Sequence, residues 1–168
     1  MTIRKAETED LPYIYGIYEK ARLFMRAHSN PCQWGSSYPE KELTEEDIRE
    51  KRLFVITEND EKREERIEGV FVFTTEEEKN YREIDGSWSY TLPCGVIHRV
   101  ASSGRIKNIT RSIFNYCLTI IDYLRIDTHE DNTTMQNALA RYGFRRCGII
   151  YYNRDNSATK RIAYDYKA

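Results

Sequence analysis

Residues 95–128 read as strand, loop, helix and strand, and no other stretch limits the possible folds so tightly. Residues 95–102 (GVIHRVAS) form a β-rich run too apolar for a sheet edge. A loop over residues 103–107 leads into a helix spanning about residues 108–123. Its inward stripe is Ile109, Ile113, Cys117 and Ile120, with Ile121 or Leu124. Residues 124–128 are the returning strand. Two strands joined through a helix lie parallel, in a right-handed crossover.

The flanks carry other patterns. Residues 2–6 read as a first strand. Thr8 then caps a helix with Pro12 in its first turn, and Leu11, Ile14, Tyr15, Tyr18, Ala21 and Met25 recur on one face until the helix fades at residues 28–31. An irregular loop, residues 31–39, holds Trp34 and Tyr38. Thr44 with Asp47 three residues on marks a short helix reaching about Lys51. Residues 53–57 and 67–74 form a hairpin around the charged run 58–66, and residues 76–90 make a second polar excursion ending in Trp88 and Tyr90. Residues 132–142 form a last helix, stopped by Gly143. Residues 146–152 and 161–166 pair as antiparallel strands around a polar turn. The expected architecture is therefore an α/β sheet, mixed and mostly antiparallel, with a central parallel pair and about four helices.

Composition bounds the function. A chain of 168 residues is one domain, residues 1–168. Its 26 basic and 27 acidic residues leave a net charge of -1, which argues against nucleic acid as the main partner. No run of 18 apolar residues is present, so no membrane span is expected. Residues 1–10 lack the apolar stretch of a signal peptide. Cys32, Cys94, Cys117 and Cys147 are widely spaced, which excludes zinc ribbons and CxxC redox motifs. Reduced thiols and a cytoplasmic location are expected.

Chemistry is expected at the start of the helix after residue 107. A helix N-terminus presents free N–H groups and the positive end of a dipole, a setting suited to phosphate. Arg105 and Lys107 add charge beside it. The segment Arg105-Ile106-Lys107-Asn108-Ile109-Thr110 stands where GNAT-family N-acetyltransferases carry an R/Q-x-x-G-x-G/A loop. Ile3 to Ala6 with Asp10-Leu11, Ile126 to Asn132, and Gly143-Phe144 resemble further segments of that family, in order. Gln33-Trp34, Tyr38-Pro39 and Val96 to Ala101 are similar to one bacterial branch of it. The resemblance covers nearly the whole chain.

It implies acetyl-CoA as co-substrate, held between two splayed parallel strands, with no metal. The cofactor arm would meet Arg99, Val100 and Asn132, and the pyrophosphate would rest on residues 105–110. The partner would be a small-molecule or peptide amine, attacking the thioester directly within a ternary complex. Trp34, Tyr38 and Trp88 are expected walls of the acceptor pocket. Two positions depart from the family pattern. Asn108 and Thr110 replace its loop glycines, although Asn tolerates a left-handed backbone and Thr can cap a helix. Leu139 stands where the family often has a tyrosine that protonates the leaving thiolate. A thiolate of pKa about 8.5 can leave without that help.

The acceptor needs a base. An alkyl amine of pKa about 10.4 is neutral in about one molecule in 2,500 at pH 7, a penalty of about 4.6 kcal/mol. His129 and His98, at the two splayed strands, are the candidate bases. Glu83 and Asp85 are further options. Asp127-x-His129-x-Asp131 also admits a metal reading, since alternate strand residues share a face. Cys117 or Cys147 with His129 would form a nucleophile pair, but both cysteines sit on apolar stripes. A different class of function remains beside the enzyme: a domain that binds CoA weakly and serves as a sensor or interaction module. In either case the final strands could pair across a homodimer.

Overall fold

The computed structural model describes residues 1–59 and 64–168. In chain order come β1 (Thr2–Lys5), α1 (Leu11–Ala27), α2 (Lys41–Arg49), β2 (Leu53–Asn59), β3 (Glu65–Thr74), β4 (Asp85–Gly86) and β5 (Gly95–Ser102). Then follow α3 (Ile109–Leu118), β6 (Tyr123–Thr128), α4 (Thr133–Tyr142), β7 (Arg145–Tyr151) and β8 (Lys160–Lys167). The strands form one sheet in the order β1-β2-β3-β5-β6-β8-β7-β4. β5 and β6 pair in parallel, and the other neighbours pair antiparallel. This is the mixed sheet with a central parallel pair and four helices that the sequence leads one to expect.

Helices cover both faces. Alternation along the strands sends Phe54, Phe71, Ile97 and Ile126 to one side, against Ile113, Phe114 and Leu139 of α3 and α4. Val55, Val70 and Val72 go to the other, against Ile14, Ile17 and Tyr18 of α1 and the ring of Trp34. Among the described residues no helix is long and apolar enough to cross a membrane.

Several boundaries differ from the sequence reading. The central helix ends at Leu118, not at residue 123. The N–H groups of Thr119 and Ile120 reach back only three residues, to Tyr116 and Cys117. Ile120 is left 50% exposed while Ile121 still packs on the core. The chain must unwind there because Tyr123 is already the first residue of β6, buried beside Asp165.

Thr44 does not cap α2. That helix starts earlier, behind Glu40, and Thr44 lies inside it with its hydroxyl donating to the Glu40 carbonyl at 2.9 Å. Thr44 and Asp47 face inward, and both are fully buried. The hairpin strands run further into the charged segment than expected, to Asn59 and from Glu65. Residues 60–63 of that run lie outside the described residues. The polar excursion at 76–90 is not free of the sheet: Asp85 and Gly86 pair with Ile149 and Gly148, and Tyr81 is buried below. β8, one of the strands considered for pairing across a dimer, is interior, with β6 and β7 on its two sides.

Candidate functional site

Parallel pairing of β5 with β6 joins Gly95 to Leu124, Val96 to Arg125 and Ile97 to Ile126, and stops there. Beyond that point each strand follows its other neighbour. His98 and Ala101 stay with Val72 and Val70 of β3, while Asp127 and Thr128 stay with Ala163 and Ile162 of β8. The sheet forks at its centre.

A bulge accompanies the fork. Between His98 and Ala101, the two residues Arg99 and Val100 stand opposite the single residue Phe71. Arg99 takes φ 51°, a left-handed conformation unusual for a residue with a Cβ. Its side chain is held firmly. Nη2 donates to both carboxylate oxygens of Asp47, at 2.9 and 2.7 Å, and Nη1 donates to the Tyr38 hydroxyl at 3.1 Å. Asp47 also accepts from Arg52 Nε at 2.6 Å.

The fork opens on a cleft of about 490 Å³. Trp34, Tyr38 and Met25 form one wall, His98, Arg99 and Val100 another, and Asp127 and Thr128 a third. Asn132, Tyr152 and Arg161 complete it. The hydroxyl of Thr128 is buried and without a hydrogen-bond partner among the described residues. His98 Nε2 lies 3.1 Å from Glu78 Oε2. That contact above all, with bonds from Asn80, holds the Glu78 carboxyl down at about 2. Asp127 Oδ2 accepts from two phenols, Tyr81 at 2.7 Å and Tyr152 at 2.9 Å. Burial first, and the Asp127 charge second, push both phenols well above their ordinary range. Both therefore stay protonated donors at neutral pH.

The other expected residues fall in several places. His129 is buried just past the end of β6, outside the lining of the cleft. Its Nδ1 accepts the Asp131 N–H at 3.2 Å, and burial, helped by Arg161, lowers its pKa. Asn132 lines the cleft but caps α4, accepting from the Met135 N–H and donating to Gln33 Oε1. Trp88 is not near Trp34 and Tyr38. It stacks in the lower cluster, donates Nε1 to the Tyr81 carbonyl and lies under the Arg125 guanidinium at 4.2 Å. Glu83 and Asp85 both pair with Arg154 on the surface.

At the start of α3, Asn108 takes φ 64° and ψ 20°, the left-handed region that Asn enters more readily than most residues. Thr110 lies in the first helical turn, where no such conformation is needed. Ile106 and Ile109 pack into the core. Lys107 is exposed. Arg105 turns back to β3, its Nε donating to both Glu68 oxygens at 3.0 Å and its Nη2 to the Ile67 carbonyl; the Ser103 hydroxyl bonds the same carboxylate. A second groove, about 600 Å³, runs beside this loop between α3 and α4, lined by Asn108, Thr110, Arg111, Asn115, Arg141 and Tyr142. Leu139 is fully buried in the core.

Glu78 and Tyr81 behind the cleft and Tyr152 on it escaped the sequence reading, and Asp127 entered it as a metal ligand and as part of the segment 126–132. The two tyrosines lie 46 and 25 residues from Asp127 along the chain, so no local spacing announces the group. Among the described residues no three His, Cys, Asp or Glu side chains gather as a metal site.

Among the described residues the sheet forks at its one parallel pair and is bulged on one arm, and the chain has the fold of solved GNAT-family acetyltransferases. A GNAT-family acetyltransferase from Streptococcus agalactiae superposes with a TM-score of 0.81 at 24% identity, over 99% of this chain and 95% of that one. A candidate acetyltransferase from Staphylococcus aureus Mu50 gives 0.71 at 26% identity, over 99% of both chains. A ribosomal-protein-alanine N-acetyltransferase from Brucella melitensis gives 0.63 at 13% identity, over the full length of both. No family model matches the chain, and no curated protein does.

Proposed function

We propose that this protein is an acetyl-CoA-dependent N-acetyltransferase acting on the amine of a small molecule or peptide. The fork carries this reading. Beyond Ile97 and Ile126 the ladder between β5 and β6 ends, so backbone groups on their facing edges have no partner in it. Backbone donors and acceptors in such a place call for an extended polar partner. The pantetheine arm of CoA, with its two amides, suits them. The unpartnered buried hydroxyl of Thr128 on the same wall supports the fit.

Further along, Asn108 supplies the backbone turn that glycine supplies in the family, and α3 offers its N-terminal N–H groups to phosphate. Arg105 is engaged by Glu68, so Lys107, Arg111 and Arg141 are the cations proposed to meet the phosphates. Arg99 and Val100 serve through their backbone at the bulge.

Acetyl-CoA would bring the acyl group as a thioester. The acceptor arrives as an ammonium and gives up two protons in all: the N–C bond forms, the C–S bond breaks with its electron pair on sulfur, water takes one proton and a base takes the other. Of the two histidines, His98 is the better placed to receive it, since it lines the cleft. His129 Nδ1 is already an acceptor for a backbone N–H, which leaves the proton on the other nitrogen. Buried Leu139 can donate nothing, so the thiolate leaves unassisted at that position or takes a proton from water. The four cysteines stand as free thiols, which suits a cytoplasmic enzyme.

Calorimetric titration with acetyl-CoA, followed by thiol release over a panel of amines, tests the reading. Binding with release is the expected result, and no binding at millimolar acetyl-CoA overturns it. The buried Leu139 also favours the non-catalytic module. Binding without release from any amine would select that alternative.

A further inference from the structure

We propose that Asp127 anchors the acceptor: its carboxylate docks a primary ammonium whose apolar stem lies along Trp34, Tyr38 and Met25. This deepens the acetyl-transfer reading and rests on it.

Three carboxylates stand at or behind the cleft. Asp47 has Arg99 and Arg52 beside it, and Glu78 has the His98 ring nitrogen at 3.1 Å. Asp127 is the exception. Among the described residues it forms no ion pair, and its partners are two neutral phenols, both on Oδ2. Its second oxygen has no hydrogen-bond partner there. Arg161, the other cation on the cleft, does not reach it. That guanidinium donates to the carbonyls of Ala158 and Lys160 and lies over the Tyr152 ring.

A half-buried carboxylate without a counter-charge is costly unless water or a ligand cation completes it. Tyr81 and Tyr152 come from different elements and fix the carboxylate at the fork, where His98 also sits. An ammonium has three donors and a compact charge, which a single fixed oxygen can receive. The aromatic and thioether wall opposite suits an apolar stem and attracts a cation through its ring faces.

The probes are 2-phenylethylamine, charged at pH 7, and 2-phenylethanol, its neutral counterpart. Each is titrated calorimetrically into the full-length protein saturated with CoA, so that no turnover occurs. Wild type should bind the amine at least tenfold more tightly than the alcohol. Asp127→Asn, which keeps the size and can still accept from the tyrosines, should bind the two equally. Equal binding in wild type, no amine binding, or a preference kept in Asp127→Asn would each overturn the proposal. The wild-type comparison decides alone if the variant does not fold. Acetyl-CoA is titrated separately: its failure to bind would overturn acetyl transfer, not the ammonium preference.

Discussion

Arg99 and Asp47 are joined by two hydrogen bonds from one guanidinium nitrogen, at 2.9 and 2.7 Å, with Asp47 fully buried. The pair ties α2 to the bulge of β5. The left-handed backbone at Arg99 persists because the side chain is held from outside the strand.

Removing Asp47 should therefore be severe. Asp47→Ala leaves the buried Arg99 guanidinium facing no carboxylate and Arg52 only Glu46 at 4.0 Å, and a loss of about 3–5 kcal/mol is expected. Urea unfolding measures it. A loss under 1 kcal/mol would mean that the bulge stands without the pair.

Asn108 should tolerate glycine and reject branched residues. Asn108→Gly is expected to keep stability and acetyl-CoA affinity, since glycine enters the left-handed region freely. Asn108→Val should cost about 1–2 kcal/mol in urea unfolding and weaken acetyl-CoA binding with it. Equal behaviour of the two variants would show that the turn is not needed.

The two histidines should separate in kinetics. His98→Gln is expected to lower kcat by about 10²–10⁴, the usual contribution of a positioned base. His129→Gln should stay within about tenfold of wild type.

Stability at low pH should carry the mark of Glu78. Its carboxyl is held at about 2 in the folded chain against 4.5 ordinarily. A depressed carboxylate stabilises fully above its unfolded value and loses that contribution as the pH falls through its folded value. The loss should therefore develop from pH 4.5 down toward 2. Glu78→Gln should flatten the stability curve in that window, and an unchanged slope would count against the His98 contact.

Phosphate contacts should map to the groove between α3 and α4. Arg111→Gln and Arg141→Gln are each expected to weaken acetyl-CoA binding about tenfold or more, the scale of a charged hydrogen bond. Arg105→Gln should change affinity by less than about threefold and act on stability instead, because its partner is Glu68.

Local periodicity made most of the frame legible. The run of strand, helix and strand through residues 95–128 has the two spacings that place a parallel pair, and both hairpins announce themselves by β-rich runs around polar turns. Boundaries failed where tertiary demands outweighed local pattern. Ile120 fits the helical stripe, but β6 claims the chain at Tyr123. Thr44 has the sequence of a cap, yet its burial on the inner side of α2 gives it another carbonyl to bond. At the site, the family resemblance and not the residue pattern pointed to backbone features: Asn108 as a replacement for glycine, and two splayed parallel strands. Side-chain partnerships were not legible. Nothing local to Arg105 announces Glu68, which lies 37 residues away and accepts from its guanidinium. Asp127 joins tyrosines from two other elements, and only folding brings them together.

The short strand β4 has a consequence for solubility. It lies against β7 with Gly86 facing Gly148 so closely that a Cβ on either would strike the other strand's backbone. The sheet thus finishes on one side in two residues, and on the other in β1, four residues that include Arg4 and Lys5. Both margins are short, and both carry charge, Arg4 and Lys5 on one and Asp85 on the other. A neighbouring molecule seeking to add its own strand finds little ladder to extend at either end, which protects a broad eight-stranded sheet from edge-to-edge aggregation.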